Sequence, residues 1–240
     1  MKFIEKIRRK QADIRSERQP VLAFLGDSVT HGCFELYIKN GNIEPATYME
    51  KGYHEKVKKI LGMLYPTVPV TMVNAGISGD NSSCGLERLE RDVLSYGPDM
   101  VVVCYGLNDA MAGENGINTY TGALRQIFAK IRESGSEVIF MTPNVRSDNL
   151  SVSLGNKQLD DCALRVINNE ASGMLKKYLD AVRGLCKEEN VPLCDCNAVW
   201  NMLRDNEVDI NMLLSNRINH PTEEMDWVFA YELVKTMLSL

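Results

Sequence analysis

Short unbroken apolar runs alternate along this chain with longer stretches in which apolar residues recur three and four positions apart. The first kind suits strands buried on both faces of a parallel sheet, the second amphipathic helices. Strands are predicted over residues 21–26, 68–74, 100–105, 137–142 and 191–196. Helices are predicted over about 3–14, 48–65, 83–95, 119–133, 161–187, 197–204 and 222–240. Pro66 and Gly97-Pro98 act as stops, and Thr222 is placed to cap the closing helix, with Glu223 and Glu224 in its first turn. Residues 31–47, carrying Gly32, Gly41, Asn42 and Pro45, read as a loop or irregular excursion, and 143–160 as a polar loop.

Strand and helix alternate five times with no repeat, linker or low-complexity tract. That order predicts one doubly wound α/β domain over residues 1–240 with a mostly parallel five-stranded sheet, residues 1–18 forming an amphipathic helix packed on it. At 45% hydrophobic and 25% charged residues the chain has ordinary globular composition, which argues against disorder. A net charge of -5 gives no basic footprint for nucleic acid or anionic lipid, and the cluster Lys6-Ile7-Arg8-Arg9-Lys10 reads as a solvated helix face. No apolar run approaches the roughly 20 residues of a membrane span. The first ten residues mix charges with Phe3, Ile4 and Ile7 and lack the apolar core of a secretory signal, so the expected location is cytoplasmic. The amphipathic N-terminal segment suits packing on its own domain or on a second subunit.

The seven cysteines are scattered, which disfavours a disulfide framework, and most read as small buried hydrophobes. Cys194 and Cys196, two apart on a strand, should point to opposite faces. Cys33 lies near the candidate site described next and is a candidate reactive thiol. With no Cys-x-x-Cys and three widely spaced histidines, no metal is expected.

Chemistry concentrates at the ends of the first three strands. Ser28 follows the first, Gly79 the second and Asn108 the third, so all three loops emerge on one edge of a parallel sheet, where open α/β sheets place ligands. A lone Gly26-Asp27-Ser28 is equally a strand followed by an Asp/Ser helix cap. His220, in the last loop, is a candidate base for the Ser28 hydroxyl, a poor nucleophile until its proton is removed. The Gly79 N–H, the Asn108 amide and the N–H of Ser28 itself are candidate donors to an oxyanion.

Four segments, in order, resemble the conserved blocks of the SGNH (GDSL-type) esterase/lipase family: Leu25-Gly26-Asp27-Ser28, Asn74-Ala75-Gly76-Ile77-Ser78-Gly79-Asp80, Tyr105-Gly106-Leu107-Asn108-Asp109 and Asn219-His220-Pro221. The resemblance covers about 21–240 and implies a flavodoxin-like three-layer α/β/α fold and ester hydrolysis without a cofactor. It also implies Ser28 as nucleophile, His220 as base, and Gly79 and Asn108 in the oxyanion hole. One position departs: the family usually has an aspartate three residues before the histidine, and here Arg217 stands there. Asn216 is the nearest candidate to orient the imidazole, and it reads equally as a turn residue. A backbone carbonyl, Asp209 and Asp226 are the other candidates.

His31 is a minor candidate base, His54 a surface residue. Asp27 and Asp109 are expected to organise turns through backbone N–H groups, and Gly76 and Gly106 to serve turn geometry. The absence of Gly-x-Ser-x-Gly around Ser28 disfavours an α/β-hydrolase elbow. The expected activity is a serine acyl- or acetylesterase on a small-molecule or glycan ester. The alternatives are a lysophospholipase- or thioesterase-like acylhydrolase, or a glycan- or nucleotide-binding module. Tyr37, Lys39, Asn40, Asn42, Asn144, Arg146, Asp148 and Asn149 in the two long loops suggest a polar binding surface, hence a short acyl group on a polar alcohol.

Overall fold

In the computed structural model, which describes residues 2–150 and 153–240, seven strands follow the chain. They are β1 (Val21–Gly26), β2 (Cys33–Lys39), β3 (Asn42–Thr47), β4 (Thr71–Gly76), β5 (Met100–Cys104), β6 (Glu137–Met141) and β7 (Leu193–Cys194). Five of them form one sheet in the order β4-β1-β5-β6-β7, every pairing parallel. The helices are α1 (Phe3–Ala12), α2 (Ser28–His31), α3 (Tyr53–Leu64), α4 (Ser82–Asp92) and α5 (Ile117–Glu133), then α6 (Lys157–Ala171), α7 (Met174–Glu188), α8 (Cys196–Asp205) and α9 (Asp226–Leu238). Every residue of β1 and β5 is buried, because helices cover both faces of the sheet. In one group of helices α9 touches α1, α3 and α8; in the other α5 touches α4 and α7. Among the described residues no helix is long and apolar enough to cross a membrane.

This strand order is doubly wound. The chain runs outward from β1 to β4, then crosses back past β1 to β5, so the switch point lies at the carboxyl ends of these three strands. Gly76, the last residue of β4, permits the close approach there: a Cβ on it would sit 2.2 Å from the His31 nitrogen. Its role is contact with α2 rather than turn geometry.

Several elements differ from their sequence-based expectation. The stretch expected as a loop, 31–47, is an antiparallel hairpin of β2 and β3, turning at Asn40-Gly41, both at positive φ. The single helix expected over 161–187 is broken at Gly173, whose φ of 71° no helix residue adopts, and the first piece begins earlier because Asn156 caps it. β4 starts at Thr71, beyond Pro69, which lacks a ladder donor. Part of the loop expected over 143–160, residues 151–152, lies outside the described residues. β7 ends at Cys194 and Cys196 opens α8, so strand alternation no longer applies, and their sulfurs lie 3.6 Å apart instead of on opposite faces.

The N-terminal helix packs on the rest of the chain through buried Phe3, Ile4 and Ile7. Its basic cluster is only partly solvated. The Lys10 ammonium is buried, donating to the Ile14 and Glu17 carbonyls at 2.5 and 2.6 Å, and Lys6 donates to Asp99 at 2.5 Å.

Candidate active site

The turn after β1 presents Ser28 at the first position of α2. Asp27 caps that helix, its Oδ1 accepting from the Val29 N–H at 3.0 Å. Gly26 keeps the turn tight, since a Cβ there would fall 2.1 Å from the Thr30 hydroxyl. Ser28 is nearly buried, its Oγ 2.9 Å from Nε2 of His220, 192 positions along the chain.

His220 sits in a loop that Asn216 assembles. The Asn216 Oδ1 accepts the backbone N–H groups of Ile218, Asn219 and His220 at 3.0, 2.9 and 3.0 Å, and its Nδ2 donates to Asn219 Oδ1. A bridge between Leu214 and Pro221 and the Ser215 N–H to His220 carbonyl bond close the loop. Asn216 therefore does not touch the imidazole, and its expected role as orienter is corrected: every accepting position of its amide oxygen is taken by main chain. Arg217, which takes a left-handed φ of 57°, turns its guanidinium to the Asn211 carbonyl and the Met212 sulfur. Asp209 caps the turn at Asn211, and the ring nitrogens of His220 meet only the Phe34 carbonyl and the Ser28 hydroxyl among the described residues, so neither Asp209 nor Asp226 orients it.

The orienting group is the main-chain carbonyl of Phe34 on β2, 3.3 Å from Nδ1. A carbonyl only accepts, so this contact places the ring proton on Nδ1 and leaves Nε2 free to take the Ser28 proton. Burial pushes the His220 pKa down to about 4, the Phe34 carbonyl opposing it. The imidazole is thus neutral across the physiological range. Main-chain atoms leave no residue-type signature in a sequence, so nothing in the residue types marks Phe34.

Gly79 and Asn108 meet Ser28 and His220 around one open cleft of ≈ 380 Å³. Gly79 adopts φ 80°, open to glycine but not to other residues without strain, and its N–H has no acceptor among the described residues. Asn108 donates one Nδ2 hydrogen to the Asp80 carbonyl at 2.7 Å, leaving the other for the cleft. The wall opposite is apolar: Leu36, Ile43 and Pro45 from the hairpin, with Met111, Val166 and Ile218. Cys162 and Arg165 reach it from α6.

Buried polar groups brace this rim. Arg88 donates to the carbonyls of Ala75 and Gly26 and pairs with Asp80 at 2.6 Å, joining the β1 and β4 ends. Arg146, almost wholly buried, donates to the Leu107 carbonyl, next to Asn108, and to Asn169 Oδ1 at 2.5 Å. Asp109 accepts the Ser82 N–H at 2.9 Å, tying the third block to the start of α4, two residues past the second. Asp27 is held up to about 7 by burial, with the nearby Asp109 and Asp80 carboxylates adding to it.

Other candidates fall away. None of the polar loop residues from which a polar binding surface was expected lines the cleft; Asn144 and Arg146 are buried and hold main chain instead. Cys33 is buried against Thr47, and burial pushes its thiol up, away from thiolate. No hydrogen bond joins His31 to Ser28, and the His31 Nδ1 has no partner among the described residues. His54 is not a surface residue: it is buried, 3.3 Å from the Asn74 amide, with its pKa lowered to about 4 by burial and by Lys56 and Lys58. Among the described residues no group of three His, Cys, Asp or Glu side chains forms a metal-ligand cluster.

Compared with known proteins, residues 24–227 match the model of the GDSL-like lipase/acylhydrolase family. An arylesterase from Vibrio mimicus is 30% identical over 99 residues, 39% of this chain and 49% of that protein. An acetylxylan esterase from Geobacillus stearothermophilus is 28% identical over 131 residues, 51% of this chain and 58% of that one. The chain thus spans about half the length of these curated relatives. The crystal structure of a catalytic mutant of a Geobacillus stearothermophilus acetylxylan esterase superposes with a TM-score of 0.67 at 20% identity, covering 91% of this chain and 94% of that one. At that identity the likeness concerns the fold.

Proposed function

Because this chain belongs to the GDSL-like lipase/acylhydrolase family, we propose that residues 1–240 form one serine ester hydrolase domain working through a Ser28–His220 dyad. The observation that carries the reading is the 2.9 Å contact between the Ser28 hydroxyl and a buried, neutral imidazole nitrogen. Ser28 Oγ attacks the acyl carbon while Nε2 takes the hydroxyl proton. The carbonyl π electrons move onto oxygen, and the N–H groups of Gly79 and Ser28 and the free Nδ2 hydrogen of Asn108 receive that charge. Collapse of the tetrahedral adduct breaks the ester C–O bond, and the imidazolium returns its proton to the departing alcohol. Water then gives a proton to the same Nε2 and attacks the acyl carbon; the bond from that carbon to Ser28 Oγ breaks, the imidazolium returns its proton to Oγ, and the acid departs. The Phe34 carbonyl holds the ring tautomer and offsets imidazolium charge as a dipole, in the place an aspartate occupies in a triad.

A short acyl group, acetyl in particular, on a carbohydrate or other polar alcohol is the favoured substrate. In support, two relatives carry the names acetylxylan esterase and arylesterase. The cleft of ≈ 380 Å³ lies near the small end of the roughly 300–1,000 Å³ typical of ligand pockets. The test is hydrolysis of 4-nitrophenyl acetate by the wild type, Ser28→Ala and His220→Ala, followed by a C2 to C10 ester series. The variants are expected to lose at least ~1,000-fold in kcat. Equal rates in all three would overturn the dyad, and rates rising steadily to C10 would overturn the short-acyl assignment.

A further inference from the structure

The cleft has one feature that ester hydrolysis alone does not use. Arg165 lines it and is exposed, with no hydrogen-bond or ion-pair partner among the described residues. Among the described residues no aspartate or glutamate lines the cleft, and His220 is neutral, so of the described lining side chains this guanidinium alone carries a formal charge. The acidic residues nearest along α6 are engaged elsewhere. Asp160 accepts from the Leu154 N–H and Ser153, Asp161 pairs with Lys157, and Glu170 pairs with Arg204.

Its position is held from both ends of the helix. Cys162, Arg165, Val166 and Asn169 lie at helical spacing on one face of α6. Val166 packs with Ile218 beside Leu36, and Asn169 donates to the Ala110 carbonyl at 3.0 Å, just past the loop of Asn108. At the other end Gln158 donates to the Gly41 carbonyl at the tip of the hairpin. The Arg165 face is therefore turned to the catalytic cleft.

We propose that Arg165 is a specificity residue that receives a carboxylate carried by the substrate, an acetylated uronic acid being the class it fits. This rests on the ester-hydrolase reading above. A guanidinium offers two parallel N–H donors that match a carboxylate. A single cation balances a carboxylate but leaves a phosphate dianion under-neutralised. In a cleft of one charge sign, such a group raises the local concentration of an oppositely charged substrate.

The test compares acetate release from mono-acetylated methyl glucuronoside and mono-acetylated methyl glucoside, which differ only in carboxylate against hydroxymethyl. The wild type is expected to favour the glucuronoside in kcat/KM by about 10-fold at low salt, less as salt screens the exposed charge. Arg165→Gln is expected to abolish the preference, and Arg165→Lys to keep part of it. Turnover of 4-nitrophenyl acetate reports separately on ester hydrolysis. Calorimetric titration of Ser28→Ala, with and without Arg165→Gln, with the same two sugars reads Arg165 independently of turnover. Equal kcat/KM or affinity for the two sugars in the presence of Arg165, or a preference that survives Arg165→Gln, would overturn the proposal.

Discussion

The carbonyl oxygen of Phe34 lies 3.3 Å from Nδ1 of His220, so the ring whose other nitrogen meets the Ser28 hydroxyl is oriented by main chain from the β2–β3 hairpin. A carbonyl dipole cannot offset imidazolium charge as a carboxylate does, and burial then dominates, lowering the His220 pKa to about 4. The acid limb of kcat/KM, which reports the free enzyme's base, is predicted near pH 4, with a plateau from about pH 5 upward. A limb near pH 6.5, the ordinary histidine value, would contradict this. The measurement is kcat/KM for 4-nitrophenyl acetate across that range.

Restoring the usual acidic residue type should not restore a triad. At position 217 the backbone is left-handed and the side chain points to Asn211 and Met212, away from the imidazole. Arg217→Asp is predicted to change kcat by no more than about 2-fold and to leave the acid limb where it is. A shift of that limb upward by a unit or more would show that the carboxylate reaches His220, since a nearby negative charge favours imidazolium.

Asn216 acts on the loop, not on the ring. Asn216→Ala would strand three main-chain donors, each worth about 1–3 kcal/mol when buried and unsatisfied. The variant is predicted to lose about 2 kcal/mol or more of stability in urea melts and at least ~10-fold in kcat. Asn216→Asp, which keeps the accepting oxygen, should recover most of both. If Asn216→Asp were as damaged as Asn216→Ala, the scaffold role would be wrong.

Two buried histidines should make stability pH-dependent. His54 and His220 both have folded-state pKa values lowered to about 4, against about 6.5 in an unfolded chain. Between those values the unfolded chain binds protons that the folded state refuses, so stability falls as pH drops from about 6.5 to about 4. Asp27 has the opposite sign: held at about 7, it contributes stability that is fully present at low pH and lost as pH rises through 7. His54→Gln, which can still accept from Asn74, is predicted to flatten the fall in Tm between pH 6.5 and 4.5. An unchanged slope would remove His54 from the account.

What the sequence made legible was local. Ser28 and Asn108 stand just past strand ends recognisable by unbroken apolar runs, Gly79 past a strand interrupted by Thr71 and Asn74, and a parallel sheet sends all three loops to one edge. The hairpin is masked in the sequence although Asn40-Gly41 is a strong turn signal, because Pro45 and the charged positions around it blur the alternation of Leu36, Ile38 and Ile43. Burial set by long-range packing was harder still. His54 lies under Phe24 and Tyr53, and Arg146 is almost wholly enclosed, yet both looked like surface residues beside polar neighbours. The Phe34 carbonyl had no signature at all, since any residue would supply it.

The central claim is that Ser28 is made nucleophilic by His220. The most direct measurement is the mass of the intact protein after treatment with diethyl 4-nitrophenyl phosphate, which phosphorylates activated serines, with the adduct located by peptide mapping. One adduct on Ser28 in the wild type, absent from Ser28→Ala and formed at least ~1,000-fold more slowly in His220→Ala, is the predicted result. An adduct on another residue, none at all, or labelling of His220→Ala at the wild-type rate would contradict it.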